Sequence, residues 1–148
     1  MKYKFQYKGI HSCEAVVLAC IDFRFWKETM QFVEEELEIK TYDFPKMPGA
    51  AKAINDCLSE VDVPMECIGV PCNLHRIQKI VIVNHADCGA YGGSSQFDGD
   101  IEAEQKFHEG ELRKAKEKIL KYYPGKEIIL VYAKLVDGGE SIEFVKVE

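Results

Sequence analysis

Two apolar stretches, Ala15-Val-Val-Leu-Ala-Cys20 and Ile80-Val-Ile-Val-Asn-His85, are the strongest indication of the fold. Short uninterrupted runs of Val, Ile and Leu are typical of strands buried on both faces of a parallel sheet. Each run ends on a residue type that binds metals, and ligands of such sheets bind beyond the carboxyl ends of the strands, where the strand order reverses. If the two strands are neighbours, Cys20, His85 and the nearby Cys88 meet at one edge of the sheet.

Strand and helix patterns alternate along the chain, which predicts an α/β fold with a mainly parallel sheet in a single domain over residues 1–148. Strands are predicted at residues 15–20, 38–44, 80–84, 127–134 and 142–147, the last two joined through the hairpin signal Asp137-Gly-Gly139. Helices are predicted at residues 25–37, 50–59, 64–76 and 101–123, and residues 89–100 are expected to be irregular. The longest helix carries an apolar stripe of Phe107, Leu112, Ala115, Ile119 and Leu120.

Composition restricts the class of protein. A chain of 148 residues with 47% hydrophobic and 30% charged content is typical of an ordinary globular domain. Its net charge of -6 argues against nucleic-acid or anionic-membrane partners, which favour basic surfaces. No apolar stretch reaches membrane-spanning length and the start lacks the apolar core of a signal peptide, so we expect a cytoplasmic location.

The cysteines indicate metal binding rather than a disulfide framework. The chain has six of them, but it is too rich in core residues for a small disulfide scaffold and carries no export signal. Cys20 and Cys88 with His85 make a three-ligand zinc set, which leaves a fourth position open for chemistry. The spacing Cys67-x4-Cys72-x2-His75 also suits a metal, but we favour buried helix positions for these cysteines.

Two charged residues follow the first predicted ligand. Alternate residues of an extended segment share one side, so Cys20, Asp22 and Arg24 can all face the metal. Arg24 can hold the Asp22 carboxylate in a bidentate fork, and Asp22 can then accept a hydrogen bond from zinc-bound water. Three other histidines are conceivable proton shuttles, although we prefer a solvated or capping role for each: His11, His75 and His108.

Cys-x-Asp-x-Arg at residues 20–24, followed by His-x-x-Cys at residues 85–88, resembles the β-class carbonic anhydrases over most of residues 13–148. The resemblance implies a twisted sheet of four parallel strands plus an antiparallel C-terminal edge strand, flanked by helices. It implies Zn²⁺ held by Cys20, His85 and Cys88, and reversible hydration of carbon dioxide to bicarbonate by a zinc-bound hydroxide. Asp22, paired with Arg24, then either orients that hydroxide or binds zinc as a fourth ligand.

The resemblance further implies a structural role for Asp87 and a homodimer or higher homo-oligomer. The N-terminal aromatic residues Tyr3, Phe5 and Tyr7 suit an intersubunit contact, although an ordinary strand or a solvated tail explains them equally well. The loop at residues 44–52 departs from the family pattern, because it lacks an arginine and carries two prolines. Two alternatives therefore stay open: a zinc hydrolase of carbon disulfide or carbonyl sulfide, and a non-catalytic zinc-binding domain.

Overall fold

A computed structural model of the chain describes residues 1–148. Five strands form one sheet in the order β2-β1-β3-β4-β5: β1 (Ala15–Ala19), β2 (Tyr42–Asp43), β3 (Lys79–His85), β4 (Glu127–Val136) and β5 (Ser141–Val147). The first four strands are parallel, and β5 pairs antiparallel with β4. The predicted α/β class, with a mainly parallel sheet and an antiparallel C-terminal edge strand, is confirmed.

Helices connect the strands. They are α1 (Trp26–Glu35), α2 (Ala51–Asp56), α3 (Val63–Asn73) and α4 (Ile101–Tyr122). The side chain of Asp100 starts α4 by accepting the backbone N–H groups of Glu102 and Ala103, two of the donors that a helix leaves unpaired at its start. None of the helices combines the length and apolar character needed to cross a membrane.

Core side chains lie on both faces of the sheet because successive residues of a strand point to opposite sides. Val16, Leu18, Ile80, Ile82 and Leu130 belong to one buried cluster, which also includes residues of α2, α3 and α4. Their strand neighbours Val17, Val81, Val83 and Val131 belong to a second cluster with Phe32 and Val33 of α1. The sheet is therefore a buried central layer, as its unbroken apolar runs predict.

The second strand is much shorter than predicted. Residues 38–44 alternate as a strand would, but only Tyr42–Asp43 pair with β1. Glu38 has a φ of 55°, which an extended strand does not allow. The Glu14 carboxylate accepts the backbone N–H groups of Lys40 and Thr41 at 3.1 and 3.0 Å, so these donors are bound to a side chain instead of a neighbouring strand.

The buried stripe of α4 also differs from the prediction. Leu112, Ala115 and Ile119 are buried as expected, whereas Phe107 is 40% exposed. The stripe continues towards the N-terminus through Glu104 and His108, both of which are buried. The solvated or capping role expected for His108 is therefore wrong, because the four-residue helical spacing places this ring on the inner face. Part of the segment predicted as irregular also forms two single 3₁₀ turns, Gly89–Tyr91 and Ser94–Phe97.

The order of the strands places the candidate site. From β1 the chain passes through α1 to β2 on one side, whereas β3 pairs with the other side of β1. The strand order therefore reverses between β1 and β3, whose carboxyl ends lie side by side, with Ala19 opposite Val83. Such a reversal opens a crevice beyond the strand ends, because the connections leave in opposite directions.

Candidate metal centre

Three potential metal ligands meet at this crevice. Cys20 directly follows β1, His85 is the last residue of β3, and Cys88 lies in the turn that follows. All three side chains are buried, and their ligand atoms lie within 4.8 Å of one another. The two Sγ atoms are 3.9 Å apart. A tetrahedral zinc ion binds thiolates at about 2.3 Å, which puts two sulfurs about 3.8 Å apart, so the observed separation already suits zinc.

The imidazole of His85 is oriented for a metal. Its Nδ1 donates a hydrogen bond to the Ala86 carbonyl oxygen at 2.7 Å, which fixes the tautomer and leaves the Nε2 lone pair free. Nε2 is fully buried and has no hydrogen-bond partner. A buried polar atom without a partner is costly, and a metal ion would supply that partner. The three residues therefore fit a metal ion at this position.

The two cysteine sulfurs lie within hydrogen-bonding distance of each other. A hydrogen bond from the Cys88 thiol lowers the pKa of Cys20 to about 4, and the Gly49 backbone N–H also points at the Cys20 sulfur, at 3.4 Å. The same contact with Cys20, together with burial, raises the pKa of Cys88. A cation would replace the remaining proton. Two thiolates with one imidazole suit zinc, whereas magnesium and calcium prefer oxygen ligands.

Asp22 and Arg24 form a tight pair beside the three ligands. Arg24 donates from Nη2 to Asp22 Oδ2 at 2.6 Å and from Nε to Oδ1 at 3.0 Å. Hydrogen bonding from Arg24 lowers the pKa of Asp22 to about 2, so Asp22 is a carboxylate at neutral pH. Its Oδ2 lies 3.9 Å from His85 Nε2, yet the carboxylate is not part of the three-residue ligand group. Arg24 thus holds Asp22 beside the centre and not in it.

Arg24 also joins the loops that follow β1 and β3. Its Nη1 donates to Asp87 Oδ2 at 2.9 Å and its Nη2 donates to the Asp87 carbonyl oxygen at 3.0 Å. Asp87 has a φ of 54°, a left-handed conformation that Asp adopts more readily than most residues. The contacts suit the structural role expected for Asp87, because they bring the turn that carries Cys88 next to the segment that carries Cys20.

Glu104 of α4 accepts hydrogen bonds from the same turn and from the segment that follows it. Although this carboxylate is buried, its Oε1 accepts the Asp87 backbone N–H at 2.8 Å, and its Oε2 accepts the Ser94 hydroxyl at 2.8 Å. The role of Glu104 was not predicted from the sequence. Its signal is the spacing to His108 and Leu112, which repeats every four residues and places a carboxylate on the buried face.

Asn84, the residue before the histidine ligand, was also missed. Its Oδ1 accepts the backbone N–H of Ala51 at 3.1 Å, and its Nδ2 donates to His108 Nδ1 at 3.2 Å. Burial lowers the pKa of His108 to about 4, so the ring is neutral at physiological pH and can accept this bond. A polar residue inside an apolar strand run is the available signal, since such a residue needs a buried partner.

A cleft of about 630 Å³ opens beside Cys20. Its walls include the site residues Cys20, Asp22 and Arg24 and four apolar or small side chains: Ile21, Phe23, Pro48 and Ala90. Pro48 belongs to the loop that departs from the family pattern, so that loop forms part of the wall. The site therefore combines a ligand set, a fixed carboxylate and an accessible, mainly apolar space.

Comparison with known proteins identifies the family. The family described as "Putative carbonic anhydrase" matches residues 10–145. The chain belongs to this carbonic anhydrase family. It is 30% identical over 122 residues to an uncharacterized protein of Rickettsia conorii, covering 79% of this chain and 65% of that protein. It is 28% identical over 86 residues to an uncharacterized protein of Rickettsia bellii, covering 57% of this chain and 52% of that protein. The chain thus spans about half to two thirds of these relatives.

The fold of this carbonic anhydrase family member also matches a solved structure. The crystal structure of β-carbonic anhydrase isoform I from Trichomonas vaginalis superposes with a TM-score of 0.62 at 13% identity, covering 99% of this chain and 87% of that one. The match shows a shared β-carbonic anhydrase fold and confirms the resemblance drawn from the two motifs.

The remaining candidate residues lie away from the crevice. His75 is not grouped with Cys67 and Cys72; its ligand atom lies instead near those of Cys13 and Asp43. His11 is exposed in the N-terminal segment. Cys67 and Cys72 lie on α3 as predicted, but both are half-buried rather than buried.

Proposed function

We propose that this member of the carbonic anhydrase family is a zinc-dependent enzyme that reversibly hydrates carbon dioxide to bicarbonate. The observation that carries the proposal is the unpartnered buried Nε2 of His85, which lies near two cysteine sulfurs and 3.9 Å from a carboxylate held by arginine. Cys20, His85 and Cys88 would hold the zinc ion. When bound, zinc supplies Lewis acidity that makes a water molecule nucleophilic near neutral pH.

Asp22 is the residue that we assign to orienting the nucleophile. Because Arg24 keeps the pKa of Asp22 near 2, the Asp22 carboxylate accepts but does not donate hydrogen bonds at working pH. An accepted hydrogen bond from the attacking water would fix that water's position and turn its lone pair towards the substrate carbon. Arg24 acts through Asp22 and is a positioning residue: its fork to both carboxylate oxygens restricts rotation of the Asp22 side chain.

The cleft suits carbon dioxide as the substrate. Carbon dioxide is uncharged, small and without hydrogen-bond donors, and the apolar walls of Ile21, Phe23 and Pro48 would receive it without leaving polar groups unpaired. The openness of the cleft to solvent allows bicarbonate to leave and the released proton to pass to buffer. His108 is buried with a pKa near 4, which does not suit a proton shuttle to solvent at neutral pH.

The same apolar walls support a second candidate function, hydrolysis of carbonyl sulfide or carbon disulfide. Both molecules are linear and have an electrophilic carbon, and Pro48 brings an apolar surface to the cleft from the loop that departs from the family pattern. The two functions are distinguished by comparing kcat/KM for carbon dioxide and carbonyl sulfide on the same zinc-loaded preparation. A higher value for carbonyl sulfide would reverse our assignment.

We also propose that the protein works as a homodimer in which a second copy covers the exposed apolar side chains beside the site. Phe23 is 82% exposed and Ile21 is 54% exposed, and the N-terminal aromatic residues Tyr3, Phe5 and Tyr7 are exposed as well. Sedimentation velocity on the full chain should show a dimer, and Phe23→Ser should shift it towards monomer.

All six cysteines are free thiols, which suits a reducing compartment such as the cytoplasm.

The decisive experiment is stopped-flow hydration of carbon dioxide on the zinc-loaded full chain across pH. Cys20→Ser is the test variant, and Cys57→Ser is the matched control because Cys57 is buried outside the site and its thiol donates to the Ala53 carbonyl oxygen. We expect zinc-dependent turnover in the wild type and in Cys57→Ser. In Cys20→Ser we expect turnover to be lost, together with one equivalent of bound zinc. No turnover of carbon dioxide by the wild type at any pH, with zinc bound, would leave either hydrolysis of carbonyl sulfide or carbon disulfide, or a non-catalytic zinc domain.

Asp22→Asn tests the role of the carboxylate. The amide is nearly isosteric but cannot accept equally at both positions, so kcat should fall about 100-fold or more while bound zinc stays unchanged. Zinc content and turnover are measured on the same sample. An unchanged kcat would remove Asp22 from the mechanism without affecting the ligand assignment.

A further inference from the structure

A second group of potential metal ligands lies near the opposite end of β1. Cys13 precedes β1, Asp43 ends β2 and His75 follows α3. Asp43 pairs with Val16 near the amino end of β1, whereas the metal centre lies beyond the carboxyl end of that strand. The backbone holds two of the three residues together, because the Cys13 N–H donates to the His75 carbonyl oxygen at 3.2 Å.

The distances within this group approach those around a metal ion. Cys13 Sγ lies 3.6 Å from Asp43 Oδ2, and the ligand atoms of all three residues lie within 4.8 Å of one another. Tetrahedral zinc, with ligands at about 2.0–2.3 Å, separates its ligand atoms by about 3.3–3.8 Å. His75 Nδ1 is 2.6 Å from Asp43 Oδ2, a hydrogen-bond distance. A cation bound between these two atoms would replace the hydrogen atom that they share and would increase their separation by less than about 1 Å.

The group is accessible from solvent. The side chains of Asp43 and His75 are each 33% exposed, and Cys13 is half-buried. Asp43 and His75 line a cavity of about 430 Å³ that Cys67 also lines. A metal ion could therefore enter without unfolding the protein, and a water molecule could complete its coordination.

We propose that Cys13, Asp43 and His75 form a second cation site, which takes zinc or another divalent ion of similar borderline softness. One thiolate, one carboxylate and one imidazole balance the charge of a divalent ion, and this mixture of S, O and N donors suits zinc better than magnesium or calcium.

The site would join the shortest strand to its surroundings. β2 consists of two residues, and a cation held by Asp43 would tie it to the start of β1 and to the end of α3. The chain continues from Asp43 to Gly49, whose N–H contacts the sulfur of Cys20 in the first centre. A cation at the second site would therefore stabilise the segment that forms one wall of the cleft, without taking part in the reaction.

Zinc stoichiometry of the full chain tests the proposal independently of turnover. After equilibration with zinc and removal of the excess, we expect two equivalents in the wild type and one equivalent in Cys13→Ser and in His75→Gln. Cys72→Ala is the matched control, because this cysteine is also half-buried but lies outside the group, and it should keep two equivalents. One equivalent in the wild type, unchanged by Cys13→Ser, would overturn the proposal.

A Cys20→Ser background separates the two centres. In that background zinc should still raise the thermal unfolding midpoint, and adding Cys13→Ser should abolish the rise. A zinc-induced rise that persists in the double variant would place the ion elsewhere and refute the second site. A zinc-induced rise that is retained in Cys20→Ser and lost in the double variant would support the second site whether or not the first centre is catalytic.

Discussion

Glu104→Ala should destabilise the protein more than any surface substitution, because Glu104 supports the turn that carries Cys88. The buried carboxylate accepts the Asp87 N–H at 2.8 Å and the Ser94 hydroxyl at 2.8 Å. A hydrogen bond to a charged group contributes about 1.5–3 kcal/mol. Ser94 can regain a bond to water, so we take the lower value for both and expect a loss of about 3 kcal/mol in the free energy of unfolding.

Glu104→Gln should cost less, about 1 kcal/mol, because the amide oxygen still accepts the Asp87 N–H and the amide nitrogen can donate to Ser94. The measurement is urea unfolding of metal-free protein followed by circular dichroism, so that zinc binding does not add to the stability. Glu117→Ala is the matched control, an exposed glutamate on the same helix, and should stay within about 0.5 kcal/mol of the wild type. Equal stability of Glu104→Ala and Glu117→Ala would refute the reasoning.

Two other substitutions test the surroundings of the site. Gly49 has a φ of +72°, and an added Cβ would lie 3.1 Å from Cβ of Ala90, so Gly49→Ala should lower the free energy of unfolding by about 1–2 kcal/mol. The control is Gly110→Ala, in open space on α4, which should raise the free energy of unfolding by about 0.5–1 kcal/mol. Thermal unfolding that shifts in the same direction for the two glycine variants would contradict this expectation. Arg24→Gln should return the pKa of Asp22 from about 2 towards its usual value. The pKa of Asp22 is depressed in the wild type, so its pairing with Arg24 stabilises the fold only where Asp22 is ionised. The wild type should therefore be more stable than Arg24→Gln by about 1 kcal/mol above about pH 4, after discounting for solvent screening. This difference should shrink as pH falls towards 2. A pH-independent difference in urea unfolding would exclude the Asp22 carboxylate as its cause.

The local parts of the site were predictable. The apolar runs before Cys20 and His85 indicate buried strands by composition alone, and metal-ligand residue types follow each run directly. Cys-x-Asp-x-Arg also encodes its own geometry, because Arg24 reaches Asp22 two residues away through both backbone and side chain. Features of this kind depend on neighbours in the chain, which periodicity and spacing describe.

Other parts depended on contacts between distant segments. The length of β2 was overestimated because the Glu14 carboxylate, 26 residues from Lys40, takes a backbone donor that an alternating pattern assigns to a strand. Glu104 and His108 look like ordinary polar residues of a charged helix until their burial is known. A polar side chain reveals its role through its partner, and the partner is chosen by packing.

The α/β class, the two strand ends that carry Cys20 and His85, and the family of the chain all follow from the amino-acid sequence alone. Those properties follow from short-range patterns of hydrophobicity and spacing. The contact of Glu104 with the turn after β3 and the meeting of Cys13, Asp43 and His75 depend on how the chain packs in three dimensions. The reason is physical: these groups are 17 to 62 residues apart in the chain, and only the packed core fixes the distances between them.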